Sequence, residues 1–300
     1  MSARIEALRK AQITQLRYET PNSLWRDARR RLVRHRLAVF GMIVLSLVIV
    51  MAVLGPLVTT YDPNGMDFNA RFASPSINHL MGTDDFGRDI FTRIVYGAQV
   101  SLKVGIIAVI VATVIGTSFG VVAGYSNRIL DEVIMRAMDV LYAFPAILLA
   151  IAVMAALGKG ENNAMIAIGI VYVPIFARIA RGAVLGVRNE EYIMAARAMG
   201  GGHIRIVFIH ILPNVLSPII VEITLSLAFA ILAEAALSFF GLGKPPPDPS
   251  WGRMLAEGRE FYRQSTWMSV FPGLAIFLTV MGFNFIGDGL RDALDPRLRR

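Results

Sequence analysis

Long apolar runs alternate with short polar breaks along most of this chain. Six runs reach the ~20 apolar residues that a helix needs to cross a bilayer core. They are roughly residues 37–59, 98–124, 135–157, 164–186, 214–240 and 267–287. The third and fourth are separated only by "GKGENN" (Gly158–Asn163), which predicts an antiparallel helical hairpin. Six crossings put both ends of the chain on one side of the membrane.

The polar breaks carry patterns of their own. Between the fourth and fifth runs lies "EYIMAARAMGGGHIRIVFIHILPN" (Glu191–Asn214), too polar to cross and too patterned for a plain loop. Asn189 is placed to cap a helix, with Glu190 and Glu191 in its first turn, where the helix dipole favours acidic groups. Tyr192, Ala195, Ala196 and Met199 then recur at i, i+3, i+4 and i+7 and form one mostly small face. Gly200, Gly201 and Gly202 end the helix, because glycine accepts the left-handed conformation there. A second helix, "HIRIVFIHIL" (His203–Leu212), runs to Pro213, which stops it or opens the next span. The expectation is a short capped helix, rigidly joined to membrane helices and able to transmit a displacement.

Two further patterns concern packing. In "SLWRDARRRLVRHRLAVFG" (Ser23–Gly41), Leu24, Trp25, Ala28 and Leu32 fall at helical spacing with arginines between them. This reads either as a basic amphipathic helix lying on the inner leaflet or as a plain basic anchor. In the second run, Gly116, Gly120 and Gly124 are four residues apart. They share a face on which another helix backbone can approach closely, although the spacing does not name the partner.

Composition fits the membrane class: of 300 residues, 55% are hydrophobic and only 17% charged. The net charge of +8 would suit nucleic acid, but most Lys and Arg lie in one alternate set of segments. These are the N-terminal tail, the breaks after runs two and four, and the C-terminal tail. That asymmetry predicts both termini and the 187–213 loop in the cytoplasm. The first apolar run begins near Leu37 and is too long for the core of a signal peptide. Within the runs the polar groups that stand out are Asp139, Glu222, Glu234 and Asn284. Such groups face a protein interior or a water path, and structural pairing and substrate contact are both open for them. Lys103 lies near the outer end of run two, where it can snorkel.

No set of residues for covalent chemistry emerges. The chain lacks the G-x-x-x-x-G-K-[ST] phosphate loop, H-E-x-x-H, C-x-x-C and G-x-S-x-G, and it has no cysteine at all. His35, His79, His203 and His210 show no ligand spacing. "GTDDFGRD" (Gly82–Asp89) clusters carboxylates without the endpoint of a calcium loop, and reads as an outer-face loop. No metal, catalytic residue or cofactor is expected in this chain.

"AARAMG" (Ala195–Gly200) followed by "HILPN" (His210–Asn214) resembles the signature loop of ABC-importer permease subunits. The family's glutamate position is Met194 here, and Glu190 and Glu191 are the neighbouring acids. "MGTDDFGRDIFTRIVYGAQVSL" (Met81–Leu102), "PPPDPSWGRMLAEGREFY" (Pro245–Tyr262) and "GDGLRDALDPRLR" (Gly287–Arg299) are similar to the C-type second permease of the dipeptide/oligopeptide/nickel branch.

The resemblance implies an all-α integral membrane protein with six transmembrane helices, a type I ABC-importer permease fold with a cytoplasmic coupling helix. It implies a cytoplasmic tail at 1–36, a first span with outer loop at 37–96, a five-helix core at 97–290 with coupling loop 187–213, and a basic tail at 291–300. Glu190, Glu191, Tyr192, Ala195, Ala196, Met199 and Gly200 would meet an ATPase. The implied partners are a homologous permease, two ATPase subunits that bind the ATP, an extracytoplasmic solute-binding protein and membrane lipid, all at a bacterial inner membrane. The implied cargo is small peptides. Relatives also handle nickel chelates, glutathione and opine-like compounds. From another class, a channel or ion-coupled secondary transporter is the alternative, although no internal repeat supports it.

Overall fold

In the computed structural model, residues 24–294 are described. Residues 1–23 and 295–300, most of the N-terminal tail and much of the basic C-terminal one, lie outside the described residues. So do the side chains of Leu24, Trp25 and Ala28, and with them most of the expected amphipathic face.

Helix α1 (Leu24–Arg34) leads to α2 (Arg36–Val58) through His35, whose ring nitrogen accepts the Ala38 backbone N–H at 3.2 Å. The helix α2 is apolar all round and packs on the last helix, α10 (Trp267–Leu294). Their backbones nearly touch: a Cβ on Gly41 would stand 2.6 Å from the Gly282 carbonyl oxygen.

Residues 59–89 then fold over one end of the bundle, with a short 3-10 turn at Phe68–Ala70. Helix α3 (Ile90–Tyr125) begins eight residues before the expected 98. Asp89 explains the early start, because its carboxylate caps the helix by accepting the Thr92 backbone N–H at 2.8 Å.

The expected third span is corrected. It is not one helix over 135–157 but two, α4 (Arg128–Tyr142) and α5 (Ala146–Leu157), bent by 92° at the break. Pro145 sits in the break and cannot continue the α4 hydrogen-bond ladder. The helix α4 carries Asp131 and Asp139, which pair with Arg181 and Arg178 further along the chain. Twelve residues make α5 only about 18 Å long, short of a ~30 Å hydrocarbon core. Among the described residues, five helices are long and apolar enough to cross a membrane, and six crossings result when the bent pair counts as one.

The predicted hairpin is present. Helix α6 (Glu161–Val187) follows α5 after three residues, and the Asn163 amide donates to the carbonyls of Leu157 and Gly158. The partner of the glycine face is α6. A Cβ on Gly116 would lie 2.5 Å from the Val173 carbonyl oxygen, one on Gly120 would collide with that of Ala177, and one on Gly124 would meet Val184 at 2.8 Å. This pairing is the most extensive in the fold.

A short helix, α7 (Glu191–Ala198), precedes α8 (His203–Phe239). The expected separate second helix is thus the root of the fifth span, not a unit of its own. A π-helical segment, Ile206–Ile211, makes the join. The wider turn carries the chain past Pro213, and the Asn214 amide donates to the His210 carbonyl at 2.7 Å. Finally α9 (Trp251–Glu260) lies across the end formed by residues 59–89, with Trp251 fully buried and donating to the Ile94 carbonyl.

Candidate functional site

The helix α7 is held by its neighbours in chain and space. Its N-cap is Glu190 rather than Asn189, and the Glu190 side chain makes no capping bond. The backbone supplies the start instead, with the Glu190 carbonyl accepting from Ile193 and Met194. The end is as expected. Gly200 has φ +81°, its N–H donates to the Arg197 carbonyl at 2.9 Å, and Gly201 donates to Ala196 at 3.0 Å. This pair of bonds is the glycine-terminated Schellman arrangement.

The expected stripe divides. Ala196 turns inward with Ile193 and joins the main core beside Ile206, whereas Tyr192, Ala195 and Met199 are exposed, as are Glu190, Glu191, Met194 and Gly200. An inward face needs apolar residues three apart, and Ile193–Ala196 supplies it. The outward face is largely apolar, with Glu190 and Glu191 at its N-terminal edge. Partial burial and the nearby Glu190 charge push the Tyr192 phenol up, so its proton stays on.

Three contacts tie this end together. Arg188 donates to the Gly124 carbonyl at 2.9 Å, joining the ends of α6 and α3. The Arg197 guanidinium lies over the Tyr125 ring at 5.4 Å. The Tyr125 hydroxyl meets His203 Nδ1 at 3.0 Å. Through Arg197, α7 thus touches the end of α3, which is itself bonded to the ends of α6 and α8.

Residues 116–300 match the family described as the binding-protein-dependent transport system inner membrane component. The chain belongs to this family. Residues 23–75 of the permease also match the N-terminal membrane domain of oligopeptide transport permease C. It is 51% identical over 280 residues to the dipeptide transport system permease protein DppC of Alkalihalophilus pseudofirmus, covering 93% of this chain and 92% of that one. It is 44% identical over 295 residues to the glutathione transport system permease protein GsiD of Pectobacterium atrosepticum, covering 97% and 98%. A chain of the inward-facing MetNI methionine ABC transporter superposes with a TM-score of 0.57 at 19% identity, over 68% of this chain and 96% of that one, a likeness of fold.

Four acidic groups on the helices of the permease have partners. Asp139 accepts from Arg178 at 2.8 Å, and that guanidinium also covers the Tyr142 ring at 4.1 Å. Asp131 receives both arms of Arg181, so two ion pairs fasten α4 to α6. Glu234, 2% exposed, accepts from Ser101 and Ser238 at 2.7 Å each. Glu222 accepts from Ser226 at 2.9 Å. Lys103 reaches Glu161 at 2.9 Å, so it is anchored at the hairpin.

At the opposite end from α7, sequence reasoning missed a buried ionic cluster. Arg88 Nε lies 2.6 Å from Asp84, and the Arg88 and Arg93 guanidinium groups both reach Glu257 at 3.4 Å. Arg93 also donates to the Pro63 carbonyl at 3.0 Å. Burial, followed by the neighbouring Asp84 charge, pushes the Asp85 carboxyl up. The four-residue spacing of Asp84 and Arg88 was a visible signal, but nothing local pointed to Glu257. Among the described residues, no group of three His, Asp or Glu side chains is placed to hold a metal ion.

Proposed function

We propose that this permease forms half of the translocation pathway of an ATP-driven importer for small peptides. Its partners are a homologous permease, two ATP-hydrolysing subunits and an extracytoplasmic solute-binding protein, in a bacterial inner membrane with both termini cytoplasmic. The observation that carries the cargo is the 51% identity to a dipeptide permease over nearly the whole chain.

The coupling role belongs to α7. Its exposed Tyr192, Ala195, Met199 and Met194 fit an apolar groove on an ATPase subunit. The glutamates at its start supply the acidic contact that Met194 cannot. Closure of the ATPases on ATP displaces α7, and the contacts of Arg188, Arg197 and Tyr125 carry that displacement to three crossing helices. The driving force is the difference in ATPase contact between the two states.

The test is uptake by vesicles holding the complete importer, with labelled dipeptide and, separately, labelled glutathione as cargo. Dipeptide uptake that requires ATP and the binding protein supports the reading. Uptake of glutathione in its place reassigns the cargo within the same machine, as the glutathione-permease relative suggests. Uptake driven by an ion gradient without ATP overturns it.

A further inference from the structure

A cavity of about 280 Å³ lies at the end opposite α7, where the end of α8, the loop before α3 and the helix α9 meet. That is close to the ~300 Å³ lower end of ordinary ligand pockets, enough for one end of a small peptide. Phe239 of α8 and Phe261 after α9 supply aromatic walls, and Asp85, Arg253, Glu257 and Glu260 supply charge.

The charges do not cancel. Arg253 Nε donates to Glu257 at 2.8 Å, so these two answer each other. The Asp85 side chain is only 13% exposed, yet among the described residues its Oδ1 accepts no hydrogen bond. The Arg88 guanidinium stands 3.6 Å from that oxygen and is engaged with Asp84 at 2.6 Å. Burial pushes the Asp85 carboxyl up, the mark of a carboxylate short of compensation. Glu260 is exposed and, among the described residues, is in no ion pair, unlike Glu257 one turn earlier. Ser238, 3% exposed, also lines the cavity. Its hydroxyl proton goes to Glu234 at 2.7 Å, so what it has left to offer is an acceptor.

Spare carboxylates, an acceptor and aromatic rings in one cavity suit a protonated amine. Such a group donates three hydrogen bonds, accepts none and is drawn to ring faces. The Phe239 ring already carries one cation, since Arg259 lies over it at 5.5 Å. We propose that this cavity receives the N-terminal ammonium of a peptide at the entrance of the pathway, with Asp85 and Glu260 as its carboxylate partners. The inference rests on the reading of the chain as a peptide importer with α7 in the cytoplasm, which puts the cavity on the side where cargo arrives. Peptides of every sequence, glutathione included, carry such an ammonium, so the site would accept cargo without reading its side chains.

The test uses the complete importer in nanodiscs without binding protein, with ligand binding followed by saturation-transfer NMR. The probes are alanyl-phenylalanine and its N-acetyl form. The free dipeptide should bind about tenfold more tightly, because acetylation removes the charge-assisted bonds. Asp85→Asn should remove most of that preference. Glu260→Gln, at an exposed position outside the buried ionic cluster, should reduce it about fivefold without disturbing the fold. Ala256→Trp fills the cavity and should abolish binding of both probes. Equal binding of the two probes by the wild type, or binding of neither, overturns the proposal. So does an unchanged preference in Glu260→Gln, even where that variant captures the binding protein less well and so marks the cavity as a docking socket. Loss of the amine preference beside intact ATP-driven dipeptide uptake in vesicles overturns the site and spares the importer. Absence of that uptake in the wild type overturns both.

Discussion

Arg93 is only 1% exposed, and two carboxylates and a backbone carbonyl surround its guanidinium. Its stem enters the first turns of a crossing helix, so its charge is tolerated only because the cluster neutralises it. Arg93→Met should cost about 3 kcal/mol, because it leaves Asp84 and Glu257 short of a buried partner. Thermal unfolding of the detergent-solubilised complex would measure this. Gly120 makes a different kind of demand, since any side chain there meets the Ala177 backbone. Gly120→Val should cost about 1–3 kcal/mol by forcing α3 from α6, whereas Gly186→Ala, with nothing within 4 Å, should cost nothing measurable. Equal melting temperatures for the two glycine variants would remove the packing explanation. The glycine spacing was legible in the sequence because one helix displays it. The Arg93 cluster was not, because its members come from segments more than 160 residues apart.

At the scale of elements, α7 separates two roles that its sequence pattern had merged. Ala196 belongs to the core and Ala195 to the outer face, although they are adjacent. Ala195→Asp should abolish uptake and leave the melting temperature within experimental error, because it alters only the surface offered to the ATPase. Ala196→Asp should lower both, since it buries an unpaired charge beside Ile206. Full uptake by Ala195→Asp would end the coupling assignment. Gly200→Val should cost about 1–2 kcal/mol through its left-handed backbone alone, as no atom lies near enough to clash. The Asn189 side-chain cap was not found, because the helix starts one residue later with no capping side chain. The glycine stop was visible as local chemistry. Whether Pro213 ended a helix was not, because a π-helical turn is a response to packing that the local sequence does not encode.

For the whole molecule, the prediction concerns sidedness. The chain has no cysteine, so single cysteines report cleanly on exposure. Lys159→Cys, in the α5–α6 turn, should react with an impermeant maleimide added outside intact cells. Met199→Cys, 82% exposed at the end of α7, should react only after the membrane is opened. Labelling of both from the same side would overturn the six-crossing topology. Hydropathy revealed five of these crossings directly, since a long apolar helix and a long apolar run are the same object. The bent pair escaped it, because run length cannot register a 92° elbow.

That elbow says which side of the bundle stays wet. At only about 18 Å from Ala146 to Leu157, α5 is too short to cross a ~30 Å hydrocarbon core end to end. Its opening amides, at Ala146, Ile147 and Leu148, come before the first bond that the helix makes, from Leu149 to the Pro145 carbonyl, and no side chain caps them. Hydrocarbon offers no acceptor for such groups. The face that bears them must look toward water or a second protein chain, and the lipid must lie on the other side.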